Sequence, residues 1–292
     1  RDEGLLQKVT FLNGIKFFNS GSYEKAYKFF SKSINYPNDN GIFVQSLFWK
    51  AQSAYELNEF SSAIESFLKF KKFNIGAFFE ESLLLNYHLA YSLFKLERYE
   101  EAILNFQKIL NKKQLIPKKV INDTYLRIGD AYFLLSDYLP AINYYDKSIL
   151  DSPDNSEYAL FQKAMSYGYL DRDKEKNETL INLISIKSSS YLVDDSLYEL
   201  GNYFSSIGSY DLAIKNYDRL INNHKNSKLF ARTKLNKGLA LYNMGKIEAS
   251  DSLLRNLAID LKDNPITLQA LKTLKEIAVD LDNISEFTTW VR

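Results

Sequence analysis

Small residues return along this chain at a nearly fixed interval. Gly14, Ala51, Ala90, Gly129, Ala164, Gly201 and Gly238 are separated by 37, 39, 39, 35, 37 and 37 residues. That recurrence constrains the fold more than composition does, because it makes the chain an array of one supersecondary unit. Between the small residues, apolar positions follow i, i+3, i+4 and i+7, the period of a helix buried on one face. Only 5 prolines and 11 glycines occur in 292 residues, too few for the many tight turns of an all-β chain. Each unit therefore reads as a pair of helices, and the chain as all-α.

The segment YLRIGDAYFLLSDYLPAINYYDKSILDSP, residues 125–153, shows the unit most clearly. Tyr125, Ile128, Gly129 and Tyr132 share one face of a first helix, and Ser136-Asp137 is a polar break. Tyr138, Ala141, Ile142, Tyr145, Ser148 and Ile149 then share one face of a second helix. Gly129 and Ala141 are small where the two axes cross, since a larger side chain would push them apart. Tyr132, Tyr138 and Tyr145 fill the wedges beside the crossing. Pro153 ends the unit because proline cannot continue an i→i−4 ladder.

The same phase recurs as Gly14, Phe17, Tyr23, Ala26 and Phe30, as Ala51, Phe60, Ala63 and Phe67, and as Ala90, Tyr99, Ala102 and Phe106. It returns as Gly201, Phe204, Tyr210, Ala213 and Tyr217, then as Gly238, Leu241 and Leu254. This pattern resembles the tetratricopeptide repeat, a helical hairpin of about 34 residues, over almost the whole chain. The resemblance implies an α-α superhelix, a solenoid of about seven to eight hairpins whose first helices line the inner surface. Repeats are expected as a single array near 7–40, 44–75, 83–113, 122–154, 157–187, 194–226, 231–262 and 265–292. The fifth is degenerate: DRDKEKNET, residues 171–179, replaces the turn-tyrosine-alanine signal and is expected to displace the second helix. The seventh has Ser250 in place of alanine. The eighth carries Lys275 and Phe287 at the two small positions and reads as a cap, or as a repeat that has lost its neighbour. The stretches KKFNIGAFFEES (71–82) and NKKQLIPKKV (111–120) lengthen two connections.

Several function classes fall away. Thirty-seven basic against 36 acidic residues leave a formal charge of +1, which argues against a reader of nucleic-acid backbones and against the related RNA-reading repeat arrays. Zero cysteines exclude disulfides and thiolate chemistry. His88 and His224 are the only histidines; the first reads as a packed or groove-lining ring and the second as a connection residue near a helix end. No GxxxxGK[ST], GxGxxG, GxSxG or HExxH motif occurs, so no enzyme, cofactor or metal is expected. The pairs Asp123/Asp130 and Asp194/Asp195 offer carboxylates, but no EF-hand spacing is present, and Asp194-Asp195 read as caps of the helix that follows. The lysines at 69, 71, 72, 112, 113, 118 and 119 read as solvated loop charge. No run of apolar residues is long enough for a transmembrane helix.

The resemblance places its binding residues on the first helices. At the family's inward positions stand Phe11, Ile15 and Phe18; Gln45, Phe48, Trp49, Gln52 and Tyr55; and Tyr87, His88, Tyr91 and Phe94. Arg127, Asp130 and Phe133 follow, then Tyr158, Phe161, Gln162, Met165 and Tyr169, then Tyr198, Glu199 and Asn202. The set is rich in rings, with scattered amides and an Arg127–Asp130 pair, the residue types in which protein-binding hot spots are enriched. The lysine–asparagine clamp that some members use for a partner's terminal carboxylate is absent.

The expected function is a non-catalytic scaffold that holds a protein or peptide in a concave groove, within a multi-protein complex. The linkers DSPDNSEYAL and NNHKNSKLFARTKLNKG resemble those of envelope tetratricopeptide proteins of Gram-negative bacteria. That resemblance implies a periplasmic or outer-membrane-associated setting, in envelope assembly or secretion. The alternatives are a cytoplasmic adaptor, or the accessory repeats of a larger enzyme. The chain opens on Arg1 and stops at Arg292 after a short apolar segment, as expected of a piece of a longer protein, whose missing part would hold any membrane attachment.

Overall fold

The computed structural model describes residues 2–73, 84–261 and 264–292. Part of the lengthened connection at 71–82 therefore lies outside the described residues. Among those described, every regular element is helical. In order they are α1 (Glu3–Asn19), α2 (Tyr23–Ile34), α3 (Asn40–Glu56), α4 (Phe60–Lys72), α5 (Leu85–Lys95), α6 (Tyr99–Leu110), α7 (Lys118–Leu134) and α8 (Tyr138–Asp151). There follow α9 (Glu157–Tyr169), α10 (Asp173–Ile186), α11 (Val193–Ser206), α12 (Tyr210–Asn223), α13 (Phe230–Asn243), α14 (Ile247–Asp260), α15 (Pro265–Asp280) and α16 (Ile284–Val291). The chain divides into two compact units, residues 1–159 and 160–292, with the boundary inside α9.

Every odd-numbered helix is joined to the next by the same turn. Seven residues after each small position stands one residue with left-handed φ: Gly21, Asn58, Glu97, Ser136, Asp171, Gly208, Gly245 and Asp282. Its N–H and that of the next residue reach back to two carbonyls of the last helical turn. Ser136 bonds to Phe133 at 2.9 Å and Asp137 to Tyr132 at 2.8 Å, and the other seven turns repeat the pair. This Schellman closure satisfies carbonyls that the helix end would orphan. Five of the eight positions are not glycine, although a left-handed backbone crowds a Cβ.

The crossing obeys an equally fixed spacing. Sixteen residues after each small position stands a fully buried side chain: Phe30, Phe67, Phe106, Tyr145, Leu180, Tyr217 and Leu254. A Cβ added to Gly129 would stand 2.7 Å from the Tyr145 ring, and Gly14, Gly201 and Gly238 face Phe30, Tyr217 and Leu254 as closely. Four residues after the small position a second ring packs edge-on against the aromatic that opens the following helix. The pairs are Phe18–Tyr23 at 5.3 Å, Tyr55–Phe60 at 6.1 Å, Phe94–Tyr99 at 5.4 Å and Phe133–Tyr138 at 5.5 Å. Such pairs add about 0.5–1.5 kcal/mol beyond the area they bury.

The fifth hairpin solves the crossing differently. The charged run forms α10 over Asp173–Ile186, a full helix that buries Leu180 at the usual sixteen-residue spacing. Lys176 holds the place of the alanine, and Gly168 holds the place of the aromatic four residues past Ala164. A Cβ on Gly168 would lie 3.1 Å from the Lys176 stem, so large and small have exchanged sides. The Lys176 ammonium then reaches Glu199 on α11 at 2.7 Å. Two further expectations change. Asp194 and Asp195 lie in the first turn of α11, whose N-cap is Leu192, so they answer the helix dipole rather than cap it. Lys275 is exposed, and Val291, sixteen residues on in the 8-residue α16, is 48% exposed where the other hairpins bury a side chain.

Stacking follows the same rule in each unit. In residues 1–159 α2 packs on α3, α4 on α5 and α6 on α7, and in residues 160–292 α10 packs on α11, α12 on α13 and α14 on α15. First helices also touch one another, α1 with α3 and α3 with α5, and α11 with α13 and α13 with α15. The first helices thus share one face of each unit. No helix among the described residues is long and apolar enough to cross a membrane.

Candidate functional site

On the first-helix face of residues 1–159, the sequence puts rings on α3 and α5 and charges on α7. Trp49 packs edge-on to Phe18 at 4.9 Å and to Phe48 at 5.4 Å. Tyr55 meets Tyr91 at 6.0 Å, and the Arg127 guanidinium stands 5.9 Å from the centre of the Tyr91 ring. Trp49, Tyr55, Tyr91 and Arg127 are half-buried. Among the described residues, no hydrogen bond satisfies the Trp49 indole N–H or the hydroxyls of Tyr55 and Tyr91.

Asp123, Arg127 and Asp130 lie at i, i+4 and i+7 of α7, hence on one face. Arg127 donates from Nη1 to Asp130 at 2.8 Å and from Nε and Nη2 to Asp123 at 3.3 Å. The carboxylates are held from behind: Tyr87 donates to Asp123 at 2.6 Å, and Tyr145 and Tyr158 each donate to Asp130 at 3.0 Å. Burial opposes the Arg127 charge, but the two carboxylates outweigh it and raise its pKa. Burial raises that of Asp130, against the pull of Arg127 and the two hydroxyls. Burial and then the neighbouring carboxylate raise Tyr87 and Tyr145, so both stay protonated donors. Asp123 also borders a cleft of about 530 Å³ walled by Lys118, Lys119, Asn122, Leu126, Asp151, Ser152 and Asn155.

The expected groove residues separate into classes. Phe48, Gln52 and Asp130 are buried, at 5%, 7% and 6% exposure. They are therefore interior groups rather than open groove contacts, because Phe48 is enclosed by Phe67 and Phe70, Gln52 bonds back to Glu56 and Asp130 is closed over by Arg127 and two tyrosines. Phe94 and Phe133, like Tyr55, belong to the edge-on pairs that close their own turns. Tyr87 spends its hydroxyl on Asp123. Trp49, Tyr91 and Arg127 remain as partly exposed groups on one face. His88 packs against Tyr55 at 4.9 Å, with its Nδ1 buried and unbonded, and burial lowers its pKa to about 4.

In residues 160–292 the same architecture carries amides. The Tyr217 ring covers Gly201, and its hydroxyl donates to Asn202 at 2.9 Å. Asn236 donates to the same Asn202 oxygen at 2.9 Å and to Tyr198 at 3.2 Å. Phe161 and Gln162 are half-buried on α9. Sequence reasoning missed Asn236, and it missed the part that Asp123, Tyr145 and Tyr217 play. The available signal was tyrosine in a slot filled by Phe30, Phe67 and Phe106 elsewhere, because a buried hydroxyl requires a partner.

Comparison with known proteins fits this geometry. Tetratricopeptide-repeat family models match residues 84–111, 123–155 and 195–227, which are the third, fourth and sixth hairpins. No curated protein matches the chain. Among solved structures it is similar to the C-terminal part of a TPR repeat-containing protein from Cytophaga hutchinsonii, at 15% identity over 89% of this chain and 99% of that one, with a TM-score of 0.69. A tetratricopeptide repeat protein from Parabacteroides merdae is 13% identical over 92% of this chain and 98% of its own, with a TM-score of 0.56. YrrB, described as a TPR protein with an unusual peptide-binding site, is 17% identical over 62% of this chain and 87% of its own, with a TM-score of 0.51. At these identities the likeness is one of fold, and the fold is a solenoid of tetratricopeptide hairpins.

Proposed function

We propose that this chain is a non-catalytic scaffold that takes a protein or peptide on the first-helix face of residues 1–159, as part of a multi-protein complex. One observation carries the reading: Trp49, Tyr91 and Arg127 stand half-buried on three successive first helices, with hydrogen-bonding capacity that their own fold leaves unused. Amphipathic rings and arginine in that state are the anchors from which protein interfaces draw most of their energy. The described peptide-binding site of YrrB, on the same fold, supports a peptide as occupant.

Replacing Trp49→Ala together with Tyr91→Ala tests the reading. Loss of two anchors is expected to lower recovery of the native-host partner about tenfold or more in a pull-down read by mass spectrometry, with helical content unchanged. Equal recovery would move the binding face elsewhere. A cell-envelope setting in a Gram-negative bacterium extends this proposal and rests on the linker resemblance. Fractionation of the native host tests it, and a wholly cytoplasmic protein would refute it.

A further inference from the structure

The proposed face also carries information about what kind of polypeptide it takes. A guanidinium has five N–H donors, and Arg127 uses three of them on Asp123 and Asp130. One remains on each terminal nitrogen, and the side chain is 27% exposed. With the Trp49 N–H, the unused capacity of this face is weighted toward donors and calls for oxygen acceptors.

The charge around those donors is not positive. Arg127 contributes one positive charge and the two carboxylates within 3.3 Å contribute two negative ones, so the cluster is net negative by one. An incoming carboxylate would meet Asp123 and Asp130 behind every donor it approached, and the like charges cancel its attraction to the guanidinium. A peptide carbonyl bears no net charge and accepts the same hydrogen bonds without that opposition. Nor can Arg127 swing out to escape its carboxylates. Tyr87, Tyr145 and Tyr158 fix both of them, and an arginine bonded to two fixed acceptors is a preorganised donor.

We propose, resting on the reading above, that the Asp123–Arg127–Asp130 cluster reads main-chain carbonyls within an internal stretch of a partner polypeptide and discriminates against a free C-terminal carboxylate.

The experiment uses two probe libraries of short random peptides selected on the intact chain, one with both ends blocked and one ending in a free carboxylate. Blocked binders are expected, with affinities that fall severalfold when their C-termini are freed. Arg127→Gln should weaken them about tenfold or more, the size of a lost hydrogen bond to a charged group. Because that variant strips Asp130 of its cation, Asp123→Asn provides the second readout. It brings the cluster to neutrality while keeping an oxygen for Tyr87, so the free-acid form of each binder should gain severalfold over its amide. A purely structural role for Asp123 would leave that ratio unmoved and overturn the inference. So would selection of binders that require a free carboxylate. If neither library yields a peptide weakened by Trp49→Ala with Tyr91→Ala, the scaffold reading itself fails, and this inference with it.

Discussion

The fourth and sixth hairpins are built alike and do different chemistry. In each, a second-helix tyrosine lies over a glycine with its ring fully buried, and its hydroxyl emerges at the residue just after that glycine. In α7 that residue is Asp130, which gathers Arg127, Tyr158 and, through Arg127, Asp123. In α11 it is Asn202, which gathers Asn236. The difference shows that the crossing geometry is invariant while the polar cargo on the first-helix face varies. One position per repeat decides whether the face carries ions or amides.

The largest predicted contrast between the two regions is a response to acid. His88 belongs to residues 1–159 and is buried with a folded-state pKa of about 4, below its ordinary 6.5. The unfolded chain therefore takes up a proton first as pH falls. Its contribution is whole above pH 6.5 and drains away between 6.5 and 4, by ~3 kcal/mol. Denaturant unfolding followed across that window should show the loss, and His88→Phe should remove most of it. A wild-type profile as flat as that of the variant would mean the ring is open to water.

A smaller effect tests whether the crossing is indifferent to the cargo. Gly129→Leu and Gly201→Leu should each cost on the order of 1–3 kcal/mol by overpacking, whatever stands beside them. Thermal unfolding of the two variants should agree closely. A tolerated leucine at either site would break the equivalence of the two hairpins.

The smallest predicted effect concerns the turns. Glu97→Gly relieves a crowded Cβ at a left-handed position that Gly208 and Gly245 occupy without cost, and should stabilise by about 0.5–1 kcal/mol. Gly208→Glu should lose a similar amount. Chemical denaturation midpoints check both, and destabilisation by Glu97→Gly would mean that the turn is not limited by backbone strain.

The architecture was legible because it is written in spacing. Small residues near every thirty-seventh position and rings at fixed offsets force helix pairs, whatever their partners. The turns were harder to read, since Asn58, Glu97, Ser136, Asp171 and Asp282 give no glycine signal at a position where the Schellman hydrogen bonds impose the left-handed backbone. The fifth hairpin looked displaced because Lys176 stands where alanine belongs, and one chain position cannot reveal that Gly168 has made room for it. The site was half legible. Family positions found the right helices and the Arg127–Asp130 pair, but helical phase alone does not separate Trp49, which stays partly open, from Phe48 beside it, which Phe67 and Phe70 enclose. That distinction depends on the next helix, which is a property of packing.

The most direct test of the central claim uses the chain's own fluorescence. Trp49 and Trp290 are the only tryptophans, so Trp290→Phe leaves a single reporter on the proposed face. Titration with a partner recovered from the native host should shift or quench Trp49 emission saturably, and Tyr91→Ala should weaken the apparent affinity. Saturable binding, measured independently, that leaves Trp49 emission unchanged would contradict the account.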